Sequence, residues 1–259
     1  MKFVTLCIGH DFNLLVQVRT LVKSLLVSQE APEIIILCDA PVDLGFPQPD
    51  CVTFLPVKDT GPFTTADAYR LKTEVYQYVK PPYLFLDSDC IVSGAIPQTD
   101  MDISVNAVRY NKLEIYGHEV GEIKESFGIT SLLYFNSGTL LANTPRCKEL
   151  YKLASELMKN ADKDKWWAMD EPYFVIALSK LHEEGKIKIK YMDYMSAAWD
   201  LYEPLGSPDR KLIHHYHTSK HSPLASNLIY RIQEVCNEFG NKFPELIYQE
   251  FKEKLPEAA

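Results

Sequence analysis

No stretch of about 18 uncharged apolar residues occurs in this 259-residue chain, so no segment reads as a bilayer-spanning helix. The start, Met1 to Leu6, enters a strand-like run directly. It lacks the basic stretch, longer apolar stretch and small-residue cleavage site of a secretory signal, and the expected location is cytoplasmic. Basic excess is lacking too. Lys and Arg number 27 against 35 Asp and Glu, for a formal net charge of −8, which disfavours general nucleic-acid binding. An anionic ligand such as a nucleoside diphosphate would need local neutralisation by a metal and a few placed cations. The cysteines Cys7, Cys38, Cys51, Cys90, Cys147 and Cys236 form no Cys-x-x-Cys pair, so no zinc or redox motif of that kind is present. Several lie in strand-like runs, where free cysteine is a small buried hydrophobe, and none is assigned a function. There is no Gly/Ser linker, internal repeat or low-complexity segment. No domain boundary is therefore placed within 1–259, although two halves (1–100 and 101–222) and a C-terminal helical extension (223–259) are distinguishable.

What is present is a globular composition, 46% hydrophobic and 24% charged, with two alternating hydrophobic periods. Buried-strand runs at Lys2 to Ile8, Ile34 to Cys38, Cys51 to Pro56 and Pro82 to Asp87 alternate with helical spacing over Asp11 to Val27 and Ala66 to Val79. In the first helix Leu14, Leu15, Val18, Leu21, Val22 and Leu25 recur at three-and-four spacing. This is the α/β signature of a doubly wound, largely parallel sheet of nucleotide-binding type. Strands are further expected at Met101 to Val108, Leu132 to Phe135, Thr139 to Ala142, Ile187 to Tyr191 and Lys211 to Tyr216. Helices are expected at Pro145 to Lys159 and Glu171 to Leu181, and a mixed sheet continuing the first half accommodates these elements.

The strongest chemical signal is Asp87-Ser88-Asp89, two carboxylates one residue apart at the carboxyl end of the apolar strand Tyr83-Leu84-Phe85-Leu86. Ligands of open α/β sheets bind at that end, and extended backbone puts both carboxylates on one side, ready to coordinate a hard divalent cation. The plainer alternative is that Asp87 caps a turn and Asp89 is solvated. Tyr134-Phe135-Asn136-Ser137-Gly138-Thr139 places a polar break between apolar runs, either a hairpin turn or a close approach of backbone to a ligand. Asp170 precedes a helix with Pro172 in its first turn and is a plausible N-cap. The segment Ile213-His214-His215-Tyr216-His217-Thr218-Ser219-Lys220 ends a strand in a histidine-rich turn, for which surface exposure is the plain reading.

Together, in this order, these segments resemble the Asp-x-Asp glycosyltransferases of the GT-A fold, and in particular family 8, which includes glycogenin and the lipopolysaccharide galactosyltransferases. The resemblance implies a central mixed, mostly parallel sheet with helices on both faces. It also implies a metal-dependent hexosyltransferase that moves a sugar from a nucleoside diphosphate donor, expected to be a UDP-sugar such as UDP-glucose or UDP-galactose, to an acceptor hydroxyl with retention. Asp87, Asp89 and one of His215, His214 and His217 would hold Mn2+ or Mg2+, the nitrogen ligand favouring Mn2+. Tyr69-Arg70-Leu71-Lys72 is similar to the family's Ala-Arg-Leu-Lys segment and gives Arg70 to the sugar nucleotide. Lys220 would reach the diphosphate. Ile8, Gly9, Asp11 and Asn13, after the first strand, fall where the family seats base and ribose, and Ser88 lies beside the donor. Asn136, Asp170 and Glu171 would grip the sugar, with Glu171 standing where the family usually has glutamine. The family's Gly after the histidine and Pro-Trp after the lysine are missing. The acceptor, whether glycan, lipid-linked sugar or protein, is not indicated. Two alternatives are a haloacid-dehalogenase-type phosphotransferase using Asp87 and Asp89, and a non-catalytic sugar-nucleotide-binding protein on the same fold.

Overall fold

The structure, a computed structural model, describes residues 1–9, 12–57, 65–92, 94–109, 114–192, 195–197, 203–204 and 212–215. The parallel half of the main sheet is built from β1 (Lys2–Cys7), β2 (Glu33–Cys38), β3 (Val52–Pro56) and β4 (Tyr83–Leu86). It continues through β6 (Ile103–Arg109), β9 (Phe135–Ala142) and β10 (Ile189–Met192). Spatial order is β10-β6-β9-β4-β1-β2-β3, with β12 (Glu203–Pro204) pairing on β6. Only β9 and β12 run against their described neighbours in this sheet; the other pairings are parallel. A smaller sheet joins β11 (Met195–Ala197), β13 (Ile213–His215) and β5 (Cys90–Val92), and β7 (Glu114–Ile115) pairs with β8 (His118–Glu119) as a hairpin.

Side chains alternate across a strand, and the core divides accordingly. Phe3, Ile34, Leu84 and Leu86 pack against Val18, Leu21, Val22 and Leu25 of α1 (Phe12–Ser28). Val4, Leu37, Tyr83 and Phe85 face the other way. They join a cluster with Leu71 of α2 (Thr65–Glu74), Ile123 of α3 (Val120–Phe127), Leu150 of α4 (Cys147–Asn160) and Phe174 of α5 (Glu171–Glu183). Helices therefore cover both faces, which is why the strands read as nearly continuous apolar runs. Residues Glu171 to Ser179 of α5 are all buried.

Two expectations change. The helix expected to reach Val79 ends at Glu74 and tightens into a 3-10 turn over Val75–Gln77. The hairpin turn, one of the two readings of Asn136 to Gly138, is absent, because β9 continues through that segment, buried along its length, with a shift of its register against β6 there. It lies between β4 and β6 in the sheet, and Asn136 Oδ1 accepts the Gly138 N–H at 2.9 Å, so the polar break is held extended by local and cross-strand bonds. The expected extension over 223–259 lies outside the described residues. Among the described residues no helix is long and apolar enough to cross a membrane.

Candidate active site

The parallel pairing of β1 with β4 sets their carboxyl ends side by side, at the point where the connections from β1 and β4 diverge. Asp87 follows β4 at once, its N–H donating to Gly138 O at 2.8 Å and its carbonyl accepting from Cys90 at 3.1 Å. The resulting turn feeds β5, and β13 lies antiparallel to β5 with His215 opposite Cys90. A residue far along the chain is thus returned to the Asp-x-Asp turn.

His215 Nε2 lies 3.1 Å from Asp89 Oδ1 and 3.7 Å from Asp87 Oδ2. Its Nδ1 lies 2.9 Å from Asn136 Oδ1. Asn136 Nδ2 donates to Glu171 Oε2 at 2.9 Å. A carboxylate only accepts, so the amide nitrogen must face Glu171 and the amide oxygen must face His215. Nδ1 therefore donates its proton to Asn136, and in the neutral ring the Nε2 lone pair is directed at the two aspartates. Burial alone would lower the pKa of His215, but the charge and hydrogen bond of Asp89, then the charge of Asp87, outweigh it and raise the pKa above the ordinary value.

Glu171, buried at the start of α5, accepts from Tyr134 Oη at 2.7 Å, from Tyr116 Oη, from Asn136 Nδ2 and from the Ser137 N–H at 3.0 Å. Burial raises its pKa against these donors, and Asp170 adds to the rise. Asp170 does not act as the expected N-cap. Its backbone is helical and its side chain makes no cap bond; instead its carboxylate accepts from Ser137 Oγ at 2.9 Å and pairs with Lys72 at 3.2 Å. Burial raises the Asp170 pKa, opposed by Lys72.

Lys72 is the residue that sequence reasoning missed. Its ammonium lies 2.9 Å from Asp87 Oδ1 and 3.0 Å from Asp87 Oδ2, and 3.2 Å from Asp170. Burial would lower its pKa, but the charges of Asp170 and Asp87 and the bond to Asp87 push it well up. The signal for it was available, because Leu71, Lys72, Val75 and Val79 form one stripe of the helical spacing, and a charge on an apolar stripe needs a partner. Arg70, two positions earlier and so on another face, pairs with Glu74 at 3.0 Å and Asp67 at 3.8 Å along α2 itself.

Of the remaining candidates, Ser88 donates to Gln17 Oε1 on α1 at 2.8 Å. Ile8 is partly buried against the core, and Gly9, at φ 92°, donates its N–H to Asp39 Oδ2 at 3.1 Å just beyond β2. That φ is one L side chains rarely adopt. Asn13 lies in the first turn of α1, but its side chain, like that of His214, falls outside the described residues; Asp11, His217 and Lys220 lie outside them altogether. The plainer reading of the Asp-x-Asp turn is set aside, since Asp87 and Asp89 are engaged by Lys72 and His215 and only Asp87, at 31%, is substantially exposed.

The donor set fits a divalent cation. Two carboxylates and one imidazole nitrogen converge, and a ring held through its second nitrogen is the usual arrangement for a metal-binding histidine. Cys90 Sγ also lies near Asp89 and His215, but a soft sulfur ligand suits a hard oxygen-seeking cation poorly, and its Sγ lies 3.8 Å from the Gly138 carbonyl as a hydrogen-bond donor.

No protein-family model matches the chain, and no curated protein is recognisably similar to it in sequence. Solved structures are similar in fold. The bifunctional glycosyltransferase WbbM superposes with a TM-score of 0.58 at 12% identity over 96% of this chain, which spans about half (51%) of WbbM. LgtC, a galactosyltransferase solved with donor and acceptor sugar analogues, gives 0.58 at 15% identity over 92% of this chain and 96% of its own. The chain has the GT-A glycosyltransferase fold. Mouse xyloside xylosyltransferase 1 shares it, with a TM-score of 0.56 at 15% identity over 86% of this chain and all of its own.

Glu171→Gln is expected to preserve the fold. The amide oxygen can accept from Asn136 and Ser137, while its NH2 donates to the two phenol oxygens. A carboxyl whose folded pKa is raised binds more protons folded than unfolded, so its contribution to stability is present below the unfolded pKa and lost as pH rises through the folded one. The variant should therefore melt higher than wild type at neutral pH, and the gap should close toward pH 4. Calorimetric melting across that range checks this; a lower melting temperature at neutral pH would show that the charged form is the better partner.

Proposed function

We propose that this protein is a metal-dependent glycosyltransferase that transfers a hexose from a UDP-sugar to an acceptor hydroxyl. The observation that carries the reading is the convergence of Asp87, Asp89 and His215 at the carboxyl end of the GT-A sheet. Asp87, Asp89 and His215 would hold Mn2+ in preference to Mg2+, which when bound supplies a Lewis acid for the departing diphosphate. Asp87, the most exposed of the three, faces the incoming donor. Asn136 and Glu171 hold the His215 ring through their bonds to each other and to it, and with Asp170, itself bonded to Ser137 and Lys72, they make up the sugar side of the site in this reading. Arg70 and Lys220 would add positive charge for the diphosphate, and Ile8, Gly9, Asp11, Asn13 and Ser88 would take the nucleotide, as the family resemblance implies. Retention of anomeric configuration follows from the family 8 resemblance.

The test is UDP binding by calorimetry with Mn2+ and with excess chelator, together with UDP release from a panel of UDP-sugars. Affinity should fall at least about 100-fold on chelation, since the cation that Asp87, Asp89 and His215 would hold supplies positive charge for the diphosphate in a chain with net negative charge. Undiminished affinity in chelator would remove the metal from the reading. Tight binding with no UDP release for any sugar or acceptor would favour the non-catalytic alternative.

A further inference from the structure

Lys72 is a buried ammonium that no part of the proposed chemistry uses directly, and three observations define what it does. It contacts both oxygens of Asp87 and one of Asp170, which come from β4 and from the start of α5. It is held there by its own helix, with Leu71 buried beside it and the Phe85 ring 5.4 Å beneath the ammonium. Asp87 lies between it and His215, whose Nε2 is 3.7 Å from Asp87 Oδ2. We propose that Lys72 is a positioning residue, a tethered internal cation that holds Asp87 against Asp170 and shares Asp87 with the divalent cation.

The inference rests on the metal-dependent reading above and extends it. Each carboxylate oxygen offers two acceptor positions, so an ammonium on one side of Asp87 leaves positions open on the other. Asp87, Asp89 and Asp170 with Lys72 carry a formal charge of minus two, so the positions left open on Asp87 remain attractive to a cation. Without Lys72, Asp87 and Asp170 would repel each other at a site where Asp170 is buried. With it, the cluster is assembled before any metal arrives, at the cost of placing a positive charge next to the metal position. Lys72 should therefore weaken metal binding while ordering the ligand that makes it.

The test is Mn2+ affinity, measured by electron paramagnetic resonance on the full chain without nucleotide, for wild type, Lys72→Met, Asp170→Asn and the double variant. Lys72→Met should bind Mn2+ at least about fivefold more tightly than wild type, because a like charge has been removed close to the ion. Asp170→Asn should bind at least about fivefold more weakly, since Lys72 then serves Asp87 alone. The double variant restores the formal charge and should return to within about threefold of wild type. A lysine whose role ended at ordering Asp87, with no sharing of Asp87 between the two cations, would instead weaken Mn2+ binding when removed. If Lys72→Met fails to fold, the double variant, which leaves no unpaired buried charge, decides: Mn2+ affinity as weak as that of Asp170→Asn overturns the proposal. Unchanged or weaker Mn2+ binding in a folded Lys72→Met overturns it as well. Absence of Mn2+ binding in the wild type would instead sink the metal-dependent reading, so the two failures are distinguishable.

Discussion

Asp89→Asn is expected to lower UDP-sugar turnover by about 1,000-fold, equivalent to about 4 kcal/mol of transition-state stabilisation. Asp89 does two things at once. It supplies a carboxylate oxygen to the proposed metal position, and at 3.1 Å it is the nearer acidic partner of His215 Nε2. An amide keeps the shape but loses the charge, so the cation would be held by Asp87 and His215 alone, with Lys72 still drawing on Asp87. Mn2+-dependent UDP binding should disappear with turnover, while the melting temperature changes little. Ser88→Ala is the matched control one residue away. The Ser88 hydroxyl donates to Gln17 on α1, so its loss should cost a modest amount of stability, about 1 kcal/mol, and leave Mn2+ binding intact. Asp89→Asn with wild-type metal dependence would take the Asp-x-Asp motif out of the metal site.

Gly138→Ala should be the second severe change, and it acts by geometry. A Cβ at this position would fall 2.1 Å from His215 Cε1, 2.7 Å from His215 Nδ1 and 2.7 Å from Asp87 Oδ2. The Gly138 carbonyl also accepts the Asp87 N–H, and its own N–H donates to Asn136, so the strand cannot retreat without losing both bonds. His215 must move, which breaks the Nδ1 bond to Asn136 and turns Nε2 away from the aspartates. A destabilisation of about 1 to 3 kcal/mol is expected from overpacking, together with loss of Mn2+ binding. Gly138→Ala/His215→Ala separates the two effects. Removing the ring should recover most of the melting temperature without recovering metal binding, and a double variant no more stable than Gly138→Ala would place the clash elsewhere.

Much of the architecture was determined by the sequence itself. The alternation of buried-strand runs with the helical spacing of α1, the position of Asp87 and Asp89 at the end of β4, and the return of a histidine-rich strand late in the chain are all local patterns. Period two and period 3.6 follow directly from backbone geometry and are written residue by residue. At Gly138 the sequence allowed a turn or an approach of backbone to a ligand, whereas what lies against it are the side chains of His215 and Asp87.

Tertiary structure decided the rest, because it depends on which strands become neighbours. Asn136 to Gly138 has the local chemistry of a turn, yet it is a central strand because β4 and β6 flank it and Asn136, Ser137 and Gly138 bond to α5, β13 and one another. Asp170 has the local chemistry of a helix cap, yet the buried ammonium of Lys72 and the hydroxyl of Ser137 draw its carboxylate away. Glu171 stands where the resemblance expected an amide. Only the fold brings Tyr116 and Tyr134 to it, so the substitution leaves a buried carboxylate fully bonded inside the protein. The common physical reason is that a buried charge must find its partner in space. For Lys72 the partners come from β4 and α5, and no periodicity along the chain records that meeting.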